Sequence, residues 1–321
     1  MDLRRVGNSG LRVASVGLGT LTWGRDTDEH EAEEQLRAYL DAGGNLVDTS
    51  ATYGDGRAEE VIGALLERSV DREEVLLCSK AGVRTDAAGA RPDTSRGALL
   101  DSLDASLDRL GTDHLDLWLV QAPDGSTPLR ETLSALRAAV VSGRTRYVGL
   151  SNFPAWQLAR AATLLDADET FLTAAQMEYS LLQRGIEREL VPAADACGVG
   201  ILAWSPLGRG VLSGKYRRSV PADSRGASPH LRGFVEPYLT AHARSVVEAV
   251  STAAEGLGRS PVEVALAWVR DAPGVASAVV GARTPAQLRG SLAASDLELP
   301  GQIRQVLDEV TEVEFGYPER R

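Results

Sequence analysis

Eight short, almost wholly apolar runs recur along the 321 residues, at 14–19, 45–49, 75–80, 115–120, 147–150, 173–177, 200–204 and 276–280. None alternates apolar with polar residues, as a strand with one wet face does. Continuous apolarity over so few residues is what a strand buried on both faces demands, the condition of a parallel sheet. Between the runs lie helical patterns at 28–42, 57–68, 94–110, 128–142, 154–165, 186–197, 243–257, 261–270 and 284–295, with a last one at 300–313. The stretch 94–110 shows the logic: Leu99, Leu103, Leu107 and Leu110 recur at helical spacing, and Gly111 follows as a stop. Gly43-Gly44 ends the first helix, and Pro154 opens the fifth.

Eight strand–helix units in unbroken series predict an α/β protein with the (β/α)8 TIM-barrel architecture. A doubly wound open sheet needs a reversal of strand order, and nothing in the series signals one. Ahead of the barrel, residues 1–6 and 11–13 flank Gly7-Asn8-Ser9-Gly10, a turn sequence that predicts an N-terminal β-hairpin. A long segment rich in Gly, Arg, Ser and Pro, 207–240, follows the seventh strand and reads as a loop. Loops of that length in a compact domain are usually lids or binding segments. No linker divides the chain, so a single domain over 1–321 is expected.

Charge narrows the function classes. The net charge is −11, from 34 basic and 45 acidic residues, and aromatic residues make up 5%. Neither a basic groove nor a base-stacking platform for nucleic acid is expected from that balance. The N-terminus is polar and no apolar run reaches the ~20 residues of a membrane helix, so the expectation is a cytoplasmic protein without a membrane partner. Cys78 and Cys197 lie in apolar surroundings and read as buried, reduced thiols. The histidines, His30, His114, His230 and His242, are scattered and no metal-ligand spacing occurs, so no metal is expected. The polar tail, 317–321, suggests no pocket-forming segment. Oligomeric state is left open.

In a barrel of this kind the active site lies where the strands end. Polar residues gather there: Asp48 and Tyr53 after the second strand, Lys80 at the third, Gln121 at the fourth, Ser151-Asn152 at the fifth, Gln176 at the sixth, Trp204-Ser205 at the seventh, Arg283 after the eighth. A phenol, an ammonium and a carboxylate from adjacent strand ends make an acid. A free phenol has a pKa of ~10 and is a weak acid at neutral pH. An ammonium beside it favours the phenolate and is expected to lower that value. Asp48 would keep Lys80 charged and oriented.

Several stretches, in order and each at a strand end, carry a resemblance. They are Gly17-Leu18-Gly19-Thr20, Asn45-Leu46-Val47-Asp48-Thr49-Ser50 with Tyr53-Gly54, Ser79-Lys80, Gly149-Leu150-Ser151-Asn152-Phe153, Gln176-Met177-Glu178-Tyr179-Ser180, Ala203-Trp204-Ser205-Pro206-Leu207-Gly208, and Gly281-Ala282-Arg283-Thr284-Pro285-Ala286-Gln287-Leu288. Over nearly its whole length the chain resembles the aldo-keto reductase superfamily. The resemblance implies a catalytic tetrad of Asp, Tyr, Lys and His. Asp48, Tyr53 and Lys80 match, whereas Gln121 stands where the family has His. An amide cannot share a proton with Tyr53, but its N–H can still donate to a carbonyl oxygen.

The resemblance also implies a nicotinamide dinucleotide lying across the barrel mouth. Ser151, Asn152 and Gln176 would hold the carboxamide, and Trp204 would stack on the nicotinamide. Ser205, Leu207 and Gly208 would line the pyrophosphate with backbone N–H groups. Arg283 would meet a 2′-phosphate, favouring NADP(H) over NADH, and Gln287 would reach the adenine. Thr20, Gly210 and Gly281 join the expected cofactor contacts, and Arg209 and Lys215 could add phosphate contacts. A Rossmann site is not expected, because the glycine run at 17–19 lacks its third glycine and does not lead into a helix. Trp23, Phe153 and Tyr53 are expected to wall a pocket for a small carbonyl substrate, with Trp118 in the core. Phe234 and Tyr238 are placed over the pocket or on its rim. The activity expected is reduction of aldehydes or ketones to alcohols. The alternatives are a sugar-modifying or enoyl-type reductase, or a cofactor-binding regulatory subunit like the potassium-channel β subunits of the superfamily.

Overall fold

A computed structural model describes residues 1–86, 89–217, 219–222, 224–313 and 316, with the backbone alone at Asp86. The tail at 317–321 thus lies outside the described residues. The chain opens with a hairpin, β1 (Leu3–Arg5) against β2 (Arg12–Ala14). The first barrel strands are β3 (Val16–Gly19), β4 (Leu46–Asp48) and β5 (Leu76–Ala81). A second hairpin, β6 (Val83–Asp86) with β7 (Gly89–Pro92), follows. The barrel continues through β8 (Leu115–Val120), β9 (Thr145–Ser151), β10 (Leu172–Glu178), β11 (Gly200–Trp204) and β12 (Val275–Gly281). Strands β3, β4, β5, β8, β9, β10, β11 and β12 pair in that order, all parallel, and β12 closes on β3. This is the (β/α)8 barrel that the alternation predicts.

The helices are α1 (Glu29–Asp41), α2 (Arg57–Arg68), α3 (Arg96–Leu110), α4 (Leu129–Val141), α5 (Ala155–Asp166), α6 (Leu190–Ala196), the single turn α7 (Arg232–Val235), α8 (Ala241–Leu257), α9 (Pro261–Arg270), α10 (Pro285–Leu292) and α11 (Gly301–Val310). Side-chain caps fix several of their starts. Asp28 accepts from the Glu31 N–H at the start of α1, and Ser260 with Glu263 forms a capping box on α9. The helix predicted at 186–197 is shorter. A 3₁₀ turn, Gly185–Glu187, precedes α6, which starts only at Leu190. Pro192 sits in its first turn, where a missing N–H is tolerated, but its ring would clash with a helical carbonyl at Arg188, so the helix cannot run through from 186.

Two apolar layers result. One lies between the strands and the helices. The other fills the barrel interior with Leu46, Cys78, Leu117, Leu119, Ala174, Leu202, Ala276 and Val279. The N-terminal hairpin adds Val6, Leu11 and Val13 to this inner layer and so plugs one end of the barrel. Gly7 makes the plug possible. At φ 55° its Cα approaches the Gly198–Gly200 backbone so closely that a Cβ would lie 2.2 Å from the Gly198 carbonyl oxygen. The opposite end stays open to receive side chains of another kind.

The long loop is not featureless. It holds a 3₁₀ segment Gly208–Ser213, α7, and a 3₁₀ turn Glu236–Tyr238. No described helix is long and apolar enough to cross a membrane.

Candidate active site

Strand register builds the centre. Asp48, the last residue of β4, aligns with Cys78 of β5, and Lys80 lies two residues further along β5. Side chains two apart on a strand share a face, so Lys80 enters the barrel mouth beside Asp48 while Ser79 turns outward to Glu59 of α2. The Lys80 Nζ donates to both Asp48 carboxylate oxygens at 2.8 Å and to the Thr49 carbonyl at 2.7 Å. Beyond β4 the chain turns through Tyr53–Gly56, with Gly54 and Asp55 both left-handed, and enters α2. That reversal brings the Tyr53 hydroxyl to 3.5 Å from the Lys80 Nζ.

Burial sets the electrostatics. For Lys80 desolvation works against the ammonium, but the facing Asp48 carboxylate, helped by Tyr53 and Cys78, outweighs it and holds the pKa above the usual lysine value. The Tyr53 phenol behaves otherwise than expected. Desolvation dominates, Lys80 offsets it only in part, and Asp48 adds to it, so the net shift is upward. The loss of water, with the carboxylate behind the ammonium, turns the sign. Burial likewise pushes the Cys78 thiol well up. Cys197 is only half-buried, contrary to the expectation of two buried thiols.

Gln121, just past β8, has its backbone N–H on the Ala81 carbonyl at 2.8 Å. Its Oε1 accepts from the Ser50 hydroxyl at 2.8 Å, and its Nε2 lies 3.1 Å from the Thr52 Oγ1. Asn152 takes a left-handed φ of 62°. Its amide fixes it there, donating to the Gln121 carbonyl at 2.9 Å and accepting from the Trp204 Nε1 at 3.0 Å. Ser205, next to Trp204, is also left-handed. Gln176 donates to Asp48 at 2.6 Å, tying the sixth strand end to the ion pair.

These residues face a cavity of about 580 Å³ in the barrel mouth. Asp48, Tyr53, Lys80 and Gln121 lie in its wall, as do Ser151, Asn152, Gln176, Trp204, Ser205, Leu207, Gly210, Lys215, Gly281, Arg283 and Gln287. Four predicted site residues are not in it. Thr20 is fully buried and donates to the Asp48 carbonyl at 3.0 Å, so it holds the backbone of the site. Gly208 is buried and its N–H donates to the Ser205 carbonyl at 2.8 Å, which removes it from the expected pyrophosphate donors. Trp23 is fully buried with its indole N–H on Gln35, and Phe153 is buried in the outer core. Neither walls the pocket. Leu21 and Phe234 do, and Phe234 stacks on Trp204 with ring centroids 6.2 Å apart. Trp118 is buried as expected. His230 sits at the rim, 3.1 Å from Asp26.

Arg225 is a cavity residue that the sequence reading passed over. It donates to the Gly281 carbonyl at 3.2 Å, and Arg283 lies near enough that, with desolvation the larger cause, its pKa is depressed. Neither arginine has a carboxylate partner among the described residues. A signal for it existed. Segment 207–240 carries Arg209, Lys215, Arg217, Arg218, Arg225 and Arg232 against only Asp223 and Glu236, a basic stretch in an acidic chain.

A cavity lined by an aromatic ring, side-chain amides and the guanidiniums of Arg225 and Arg283 suits an anionic ligand that also carries a flat ring. A model of the aldo/keto reductase family matches residues 15–312. The chain is 34% identical to an uncharacterised oxidoreductase, YrpG, of Bacillus subtilis, over 97% of this chain and 96% of the relative. It is 32% identical to a probable voltage-gated potassium channel subunit beta of Oryza sativa subsp. japonica, over 100% of this chain and 98% of that one. Identity to the aldo-keto reductase YhdN of Bacillus subtilis is 30%, over 90% and 87%. With the barrel, the strand-end residues and these likenesses together, the chain belongs to the aldo/keto reductase family of oxidoreductases.

Proposed function

We propose that the chain reduces small aldehydes or ketones to alcohols with NADPH, and that Tyr53 is the proton donor. The observation that carries the reading is the phenol–ammonium–carboxylate group facing one cavity together with Arg225 and Arg283. The dinucleotide, when bound, would supply hydride to the carbonyl carbon. Tyr53 would give its proton to the carbonyl oxygen, and Lys80 would face the phenolate left behind. Asp48 holds Lys80 charged, and Gln176 satisfies a further lone pair of Asp48. Gln121 would donate from Nε2 to the same carbonyl oxygen. Ser151 and Asn152 would hold the carboxamide beside Trp204. Arg283 and Arg225 would meet a 2′-phosphate, and Gln287 the adenine.

Replacing Tyr53 by Phe is expected to leave NADPH affinity within about twofold and to lower turnover of an aldehyde panel by ~10²–10⁴, the usual worth of a positioned acid. Retained turnover would remove Tyr53 from the role. Removing Arg283 or Arg225 should weaken NADPH by ~1.5–3 kcal/mol, the scale of a charged hydrogen bond, and NADH far less. Equal weakening of both cofactors would take the 2′-phosphate away from these arginines.

The likeness to the rice channel subunit favours a second reading, a cofactor-binding regulatory subunit. Tight NADPH binding with very slow hydride transfer, and a stable partner in a pull-down, would select it.

A further inference from the structure

Gln121 has no proton to release, so the direction of its amide is its only lever on a bound carbonyl. With N–H forward it stabilises a developing oxyanion; with C=O forward it repels one. What fixes the direction is therefore part of the site.

Two hydroxyls face the amide, both from the segment between β4 and Tyr53. Ser50 is fully buried, and its Oγ lies 2.8 Å from the Gln121 Oε1. The same Oγ already accepts the Thr52 backbone N–H at 3.2 Å, so it is supplied with a donor and has one hydrogen to give. The Thr52 Oγ1 lies 3.2 Å from the Gln121 Oε1, 3.1 Å from its Nε2 and 3.0 Å from the Ser50 Oγ. With Ser50 donating to Oε1, the three groups can close a ring in which Nε2 donates to Thr52 and Thr52 to Ser50. Such rings strengthen each member by polarising the next. One Nε2 hydrogen is used in the ring, and the second remains for the cavity, which Gln121 lines. Backbone contacts to Ala81 and Asn152 hold Gln121 on its other sides.

We infer that Ser50 and Thr52 are positioning residues that lock the Gln121 amide with its oxygen turned to the two hydroxyls and one N–H turned to the substrate carbonyl. The inference deepens the carbonyl-reduction reading and rests on it. In this chain, the loss of a titratable group at position 121 is matched by two hydroxyls that give a neutral amide a fixed polarity.

The test is a set of variants read in two ways. Ser50→Ala with Thr52→Val should lower kcat/KM for an aldehyde about tenfold, a part of the ~10²–10³ that one oxyanion donor supplies. NADPH affinity should hold within about twofold. In a Gln121→Leu background the same pair of changes should add nothing, because it acts through the amide. Thr52→Ser, which keeps the hydroxyl, should stay near wild type. A loss that persists without Gln121 would make the two residues merely structural and overturn the inference. The second readout needs no turnover: the ¹⁵N side-chain amide signals of Gln121, identified by their disappearance in Gln121→Leu. They should be dispersed and slow to exchange in the wild-type chain and collapse to those of a mobile amide in the doubly substituted one. Signals that are unchanged by removing both hydroxyls would overturn the positioning role directly. A wild-type chain that reduces no carbonyl, yet shows the collapse, would keep the lock and lose the carbonyl-reduction reading.

Discussion

The acid proposed for this site is made of groups that each resist ionising changes. Lys80 and Asp48 expose 2% and 4% of their side chains, so neither charge has water to fall back on. A lysine pKa raised on folding contributes stability that is complete below ~10.4 and is lost as pH rises through the folded value, so the pair weakens only in strong alkali. Tyr53, raised by burial, keeps its proton across the neutral range. Gln121 does not titrate. The reductive kcat/KM is accordingly expected to be flat through neutral pH and to fall only above ~10, where the phenol loses its proton. A Gln121→His variant should gain a limb near ~6.5. A limb near neutrality in the wild-type profile would show that another group supplies the proton. The residues of this centre were legible because polar groups at the ends of apolar strands have few other uses. The sign of the Tyr53 shift was not legible, since it depends on how much water the fold removes. Trp23 and Phe153 were misplaced for a related reason. Phe153 follows the exposed Asn152 and turns the other way, and nothing in an aromatic side chain says which face it takes.

Among elements, the strands and most helices followed from period and caps, because burial on both faces leaves a pattern that few sequences mimic. The β6–β7 hairpin left none. Val83-Arg84-Thr85-Asp86 and Gly89-Ala90-Arg91-Pro92 pair outside the barrel, with no apolar face for alternation to reveal. A second feature visible only in three dimensions is the clamp behind the site. Glu59 of α2, with no exposed side-chain surface, accepts from the Ser79 hydroxyl and takes a two-pronged bond from Arg109 of α3 at 2.8 and 2.6 Å. It joins two helices to β5 one residue before Lys80. Removing one partner of a buried pair costs ~3–5 kcal/mol. Arg109 keeps about a quarter of its side-chain surface exposed, which softens the loss. Glu59→Ala should therefore lower the unfolding free energy by about 3 kcal/mol in urea titration, with Glu59→Gln losing less. A change within ~0.5 kcal/mol, the range of ordinary surface substitutions, would mean that the clamp is not holding the elements together.

On the proposed reading, the whole molecule must retain a dinucleotide in a barrel with an open mouth. Among its described residues, segment 207–240 is tied to the barrel by side chains along its length, besides the Arg217–Glu248 pair to α8. Arg209 takes both oxygens of Glu178 on β10, at 2.8 and 2.7 Å, and donates to the Phe234 carbonyl at 2.6 Å. Its guanidinium lies 4.0 Å from the Phe234 ring centroid and 4.9 Å from that of Tyr238. Arg225 reaches Gly281 at the end of β12, and His230 reaches Asp26 beyond β3. The segment therefore arches over the arc from β10 through β11 and β12 to β3, and Arg209 is its most heavily bonded tie. The Arg209 side chain also lines the cavity, so a ligand beneath the segment could leave only after that tie yields. Losing a charge-assisted bond of this kind costs ~1.5–3 kcal/mol, or about 10- to 100-fold in a rate that depends on it. Arg209→Ala is expected to speed NADPH dissociation by that factor in stopped-flow fluorescence. Association should quicken as well, because the same tie stands across the way in. Glu178→Gln should act in the same direction and more weakly, and the two together no more than Arg209→Ala alone, since they cut one tie. Dissociation unchanged in Arg209→Ala would mean that the segment rests on the barrel without gating it, and that retention of the ligand is the work of Arg225, Arg283 and Trp204 beneath it.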